Sequence, residues 1–77
     1  MTRDEELMGQ ALEEARQAGD AGEAPIGAVL ADASGAILAA AGNAPIATHD
    51  PTAHAEIAAI RAACEAAGNY RLTGATL

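Results

Sequence analysis

The sequence predicts a layered α/β fold in the order helix, hairpin, helix and the start of a third strand. Three observations carry this. An opening segment places apolar residues at helical spacing behind a capping box, two short apolar runs flank a cluster of turn residues, and a second helical segment ends on Gly68 and Asn69.

Thr2 followed by Glu5 matches the capping-box pattern, and Leu7, Met8, Ala11, Leu12 and Ala15 then fall on one face, so the first helix is expected from Arg3 to Ala18. Gly19 and Gly22 are expected to stop it, and an acidic loop from Gly19 to Glu23 leads to Pro25, which fixes the backbone before the run Ile26 to Ala31. Asp32-Ala33-Ser34-Gly35 is turn chemistry and Ala36 to Ala41 is a second apolar run, so the two runs pair as an antiparallel hairpin. Asn43, Pro45, Asp50 and Pro51 break the pattern and predict an ordered loop from Gly42 to Thr52. The second helix runs from Thr52 to Ala67, capped by Asp50 or Thr52, with Ile57, Ile60, Cys64 and Ala67 as its inward stripe and Gly68 and Asn69 as its stop. Ala75-Thr76-Leu77 opens a further extended segment.

Composition limits what such a chain can do. Its 77 residues make at most one small domain, and a chain this short buries only about 60% of the surface its unfolded form exposes. The hydrophobic fraction is 51%, yet 23 residues are alanine and neither Phe nor Trp is present, so large core-forming side chains are scarce. A formal net charge of -7 with no lysine argues against holding a polyanion through the overall field, and any nucleic-acid contact is local. One cysteine excludes an internal disulfide, and the apolar runs are far shorter than the roughly 20 residues a membrane helix needs. A cytoplasmic protein without a membrane segment is the expectation.

The stretch Asp50-Pro-Thr-Ala-His-Ala-Glu-Ile57 carries the chemistry. His54 and Glu56 are two residues apart, a spacing that turns them about 200° from one another inside a helix but lets both reach a common point at its first turn. One imidazole ligand beside a non-ligand carboxylate is the division of labour of hydrolytic zinc chemistry, in which the metal acidifies a water and the carboxylate moves protons. The same residues also suit a helix end, with His54 capping or packing and Glu56 as a first-turn anion near the positive dipole. Ala53 and Ala55 leave room for a substrate. Asn43 reads as a left-handed turn residue after Gly42, and Cys64 as a small buried hydrophobe. His49 either orders its loop or faces RNA, and Tyr70 and Arg71 either contact a substrate or second subunit or pack in a loop.

Four segments extend the reading: Gly22-Glu-Ala-Pro-Ile-Gly-Ala-Val29, Gly42-Asn-Ala-Pro-Ile46, His49 to Ile57, and Gly68-Asn-Tyr-Arg-Leu72. In their order and spacing the chain resembles the first half of the cytidine deaminase-like superfamily, and most closely the bacterial tRNA-specific adenosine deaminases. The resemblance implies a cytidine deaminase-like α/β/α fold, a five-stranded sheet between helices, with residues 1–77 forming the amino-terminal part of a single zinc nucleobase deaminase domain. It implies Zn2+ as cofactor, His54 as the one histidine ligand and Glu56 as the catalytic proton shuttle. It further implies that Asn43 holds the base, with Ala24, Pro25 and Ile26 packed nearby and the Ala55 backbone contributing. The remaining ligands of such a site come from a Pro-Cys-x-x-Cys segment after the third strand, which these 77 residues do not contain.

The implied activity is hydrolytic deamination of adenosine to inosine at the tRNA wobble position, by a homodimer that receives the anticodon loop with the target base extruded. Two other readings stand beside it. A guanine or other free-nucleobase deaminase shares the metal-site stretch, and an inactive fragment or complementing half of a split deaminase follows from one imidazole being too few ligands to hold zinc.

Overall fold

A computed structural model describes residues 2–68 and 72–77 of the chain. The elements are α1 (Arg3–Asp20), β1 (Gly27–Ala31), β2 (Ile37–Gly42), a single-turn helix α2 (Pro45–Thr48) and α3 (Ala55–Ala67). The structure thus has the expected helix, hairpin and helix, in the antiparallel order β1-β2.

The expected capping box forms: Glu5 N–H donates to Thr2 Oγ1 at 3.1 Å and Thr2 N–H donates to Glu5 Oε1 at 3.0 Å. The helix runs through Gly19, where the sequence predicts a stop, and ends at Asp20. Gly22 takes φ 86° just beyond it, and Glu23 N–H donates back to the Ala18 carbonyl at 2.9 Å. The hairpin turn is held by Asp32, whose Oδ1 accepts from Ser34 N–H, Ser34 Oγ and Ala36 N–H at 2.9, 2.6 and 3.0 Å. Arg3 Nε donates to the Gly35 carbonyl at 2.8 Å and ties this turn to the start of α1.

Gly27 and Gly42 are register partners, and they set how α1 meets the sheet. A Cβ on Gly27 would lie 2.6 Å from the Ala15 backbone nitrogen and still closer to the Ala11 carbonyl oxygen, while one on Gly42 would lie 2.8 Å from the Glu14 carbonyl oxygen. Helix backbone therefore rests directly on strand backbone. Val29, Leu30 and Ala31 are buried in succession, so both faces of β1 are covered. Each long helix packs against both strands, and among the described residues the two make no contact with each other, which puts the sheet between them.

Three expectations about α3 and its approach change. The helix starts at Ala55, not Thr52, and its N-cap is His54. Asp50 instead bonds to Thr52, accepting from its N–H and hydroxyl at 2.8 and 2.7 Å. The inward stripe is Ala55, Ala59 and Ala63; Ile57, Ile60 and Ala67 are exposed, and Cys64 is half-buried. Small side chains at a spacing of four let α3 approach the sheet closely, and this outweighs the larger transfer energy of the isoleucines. The loop before α3 contains α2, a turn too short to register as a periodic pattern. Gly68 ends α3 at φ 65°, as expected, whereas Asn69, Tyr70 and Arg71 lie outside the described residues. Thr76 pairs with Ala31 through two hydrogen bonds of 2.8 Å, so the extended segment joins the free edge of β1. Among the described residues no helix is long and apolar enough to cross a membrane.

Candidate functional site

The amino terminus of α3 gathers the chemistry. His54 is extended (φ -77°, ψ 150°) and Glu56 sits in the first helical turn, so the 200° divergence of a mid-helix pair does not arise. His54 Nδ1 and Glu56 Oε1 lie 3.9 Å apart, with both side chains about half exposed. The imidazole makes no capping bond among the described residues and is free to accept a different role.

The helix end is capped instead from a distance in sequence. Asn43 is buried and its Oδ1 accepts the Ala55 N–H at 2.7 Å, while its own backbone N–H donates to the Ile26 carbonyl at 2.9 Å. One residue thus joins the entry of β1 to the first turn of α3. Asn43 is not a left-handed turn residue: among the described residues the non-glycine position with positive φ is His49, at 55°. His49 caps α2 and thereby orders the loop. A further bond, Ala44 N–H to the Ala53 carbonyl at 3.0 Å, ties the loop to the residue before His54.

The other residues singled out in the sequence are placed around this junction. Ala55 is fully buried, and its N–H is committed to Asn43. Ala24, Pro25 and Ile26 are exposed, and Pro25 packs against the end of α1 at Gly19. Ile26 meets Asn43 through the backbone; among the described residues no comparable hydrogen bond joins Ala24 or Pro25 to Asn43. A cleft of about 500 Å³ between α1, β1 and Thr76-Leu77 reaches Glu56 but is lined by neither His54 nor Asn43. Its walls are mostly apolar, with Leu7, Met8 and Val29 beside the polar Asp4, Glu56 and Thr76.

The sequence places Glu23 in an acidic loop, yet the side chain is buried, and its two carboxylate oxygens accept the Ile46 and Ala47 N–H groups at 3.1 and 2.8 Å. Its place in the Gly22 to Val29 segment sets it apart from exposed Asp20, but its charge and loop position do not announce burial; only the fold brings it over α2.

Among the described residues no three His, Cys, Asp or Glu side chains converge to hold a metal ion. His54 fits a metal as one ligand: it is a nitrogen donor, uncapped and accessible, with a carboxylate beside it.

The family of the cytidine and deoxycytidylate deaminase zinc-binding region matches residues 1–77. The chain is 55% identical over 71 residues to a tRNA-specific adenosine deaminase of Agrobacterium fabrum, covering 92% of this chain and 46% of that one. A structure from a study of A-to-I editing by tRNA:A34 deaminases at the wobble position of transfer RNA superimposes with a TM-score of 0.92 at 51% identity, covering 96% of this chain and 56% of that one. Guanine deaminase from Bacillus subtilis superimposes with a TM-score of 0.86 at 40% identity, covering 92% and 45%. The chain spans about half the length of the tRNA adenosine deaminases it matches. With a family match over every residue and the fold shared at this level of identity, the chain belongs to the cytidine and deoxycytidylate deaminase zinc-binding family.

Proposed function

We propose that this chain supplies the His-x-Glu half of a zinc-dependent deaminase domain that converts adenosine to inosine at the wobble position of a tRNA anticodon. The observation that carries the reading is the α3 terminus, where an uncapped imidazole and a carboxylate stand 3.9 Å apart beside a buried, oriented asparagine. The 55% identity to a tRNA-specific adenosine deaminase supports the choice of substrate.

Zinc, when bound, acidifies the attacking water. His54 is its one ligand from these residues, and the two others are expected from a Pro-Cys-x-x-Cys segment elsewhere in the domain. Glu56 takes a proton from the attacking water, delivers it to the ring nitrogen of the base, and carries a proton to the departing ammonia. Asn43 holds the base. Because its Oδ1 is committed to Ala55, the group it turns to the purine edge is the NH2 donor, and the Ala55 N–H acts by fixing that orientation. The exposed Ala24, Pro25 and Ile26 flank the base. With a net charge of -7 the chain binds RNA by local contact with an extruded base. The reading carries with it a homodimer and a cytoplasmic setting, in which Cys64 stays a thiol.

One imidazole is below the three protein ligands usual at catalytic zinc sites, so these 77 residues alone are expected to be inactive. A free-guanine substrate is the second reading, favoured by the superposition on guanine deaminase. The test supplies a polypeptide bearing the Pro-Cys-x-x-Cys half and measures bound zinc, inosine in an anticodon stem-loop, and guanine turnover. Zinc uptake with inosine formation is the expected result. Zinc uptake with guanine turnover moves the assignment to the second reading, and no zinc uptake rejects both.

A further inference from the structure

We infer that Glu23 is a positioning residue for the base-binding loop, acting through the buried clamp its carboxylate makes on α2. The inference rests on the proposed deaminase reading and adds to it a group that takes no part in proton transfer.

Glu23 is 8% exposed, and both oxygens are used, one by Ile46 N–H and one by Ala47 N–H. These N–H groups belong to the first turn of α2, which has no side-chain cap of its own at Ala44. Their natural partner would be a capping side chain at the start of α2. The chain supplies one instead from 23 and 24 residues earlier, immediately before the Ala24-Pro25-Ile26 entry to β1. Asn43 lies between the two clamped segments. Its N–H is fixed to Ile26 on one side, and Ala44 N–H is fixed to Ala53 on the other. Releasing α2 from Glu23 therefore takes one anchor from the carboxyl side of Asn43, where the Ala44 to Ala53 bond remains, and leaves its strand-side bond intact. The expected consequence is a wider spread of Asn43 side-chain orientations, and with it poorer binding of the base.

This differs from a structural role in its kinetic signature. Lost uniform binding of the base raises KM with kcat unchanged, whereas partial unfolding lowers the active fraction and so kcat, with KM unchanged. Glu23→Gln is nearly isosteric but replaces one acceptor oxygen with a donor, so one clamp bond is lost; Glu23→Ala loses both.

In the zinc-loaded complex of this chain with a polypeptide bearing the Pro-Cys-x-x-Cys half, acting on an anticodon stem-loop, the expected result is a KM raised about tenfold for Glu23→Gln and further for Glu23→Ala, at constant zinc content and little change in kcat. An unchanged KM, or a fall in kcat that follows zinc loss, overturns the inference. A second arm needs no turnover: in the unliganded protein the Asn43 side-chain amide and Ala55 N–H resonances shift in Glu23→Gln while those of Val29 and Leu30 hold. Unmoved Asn43 and Ala55 signals overturn the inference even if the substrate assignment is correct. Moved signals support it even if the wild-type enzyme proves to act on another base.

Discussion

Asn43 does with one side chain what local sequence leaves undone at α3. Its Oδ1 satisfies a buried N–H that His54, as N-cap, does not reach, and its backbone anchors the same residue to β1. Replacing it with alanine strands the Ala55 N–H in a buried setting, and Asn43→Ala is expected to cost about 1–3 kcal/mol in chemical denaturation. Asn43→Asp keeps the acceptor and should recover much of that loss. Asp50 offers a second test at this scale. The Thr52 hydroxyl first, then the Thr52 N–H and Arg61, hold its carboxyl below the usual aspartate range. A carboxyl depressed in the folded state contributes order that is present above its unfolded value, about pH 4, and lost as pH falls through the lower folded value. The Thr52 amide resonance should therefore titrate with a midpoint below the usual aspartate value of about 4; a midpoint at or above that value contradicts the bonding described. Residues with short-range partners, such as Thr2 with Glu5, are legible in the sequence. The structural bonds of Glu23 and Asn43 are not, because their partners lie 23 and 12 residues away and only folding creates the pairing.

At the scale of elements, the pair Gly27 and Gly42 determines how α1 lies on the sheet. Gly27→Ala drives a methyl group into the α1 backbone, an overpacking expected to cost about 3 kcal/mol, the upper part of the usual range. Gly9, inside the same helix, has open space where a Cβ would stand, with nothing within 4 Å, so Gly9→Ala should instead stabilise by about 0.5–1 kcal/mol. Thermal unfolding of the two variants side by side decides whether close backbone approach or helix propensity dominates here; equal shifts would contradict the packing. The hairpin and both long helices can be read from turn residues and apolar spacing. The inward face of α3 cannot, since side-chain size is a poor guide to burial at this interface. Close approach to an alanine- and glycine-rich sheet selects Ala55, Ala59 and Ala63, and it leaves Ile57 and Ile60 outward. The start of α3 escapes the sequence for a related reason: Asp50 and Thr52 have the right side chains for a cap, but they spend them on one another.

Across the described residues, the buried hydrophobic set holds Val29 and Leu30 and is otherwise alanine. Burying one such side chain contributes roughly 1.5–3 kcal/mol, so this core is small against the conformational entropy of ordering the chain. The envelope measures 33 × 32 × 13 Å. Three stacked layers at about 10 Å spacing do not fit within 13 Å, so the thin dimension runs along the strand-pairing direction, where the sheet is two strands wide. Met8, Leu12, Ile57 and Ile60 remain exposed on the two helices, and Thr76 has begun to pair with Ala31 on the β1 edge.

In the proposed reaction Glu56 moves protons beside a metal held in part by His54. The most direct measurement compares Glu56→Gln with wild type in the zinc-loaded complex of this chain with a polypeptide bearing the Pro-Cys-x-x-Cys half, following zinc content and inosine formation in an anticodon stem-loop. Equal zinc and loss of turnover are expected in the variant, because the amide keeps the shape but cannot exchange a proton. Retained turnover with zinc in place would contradict it.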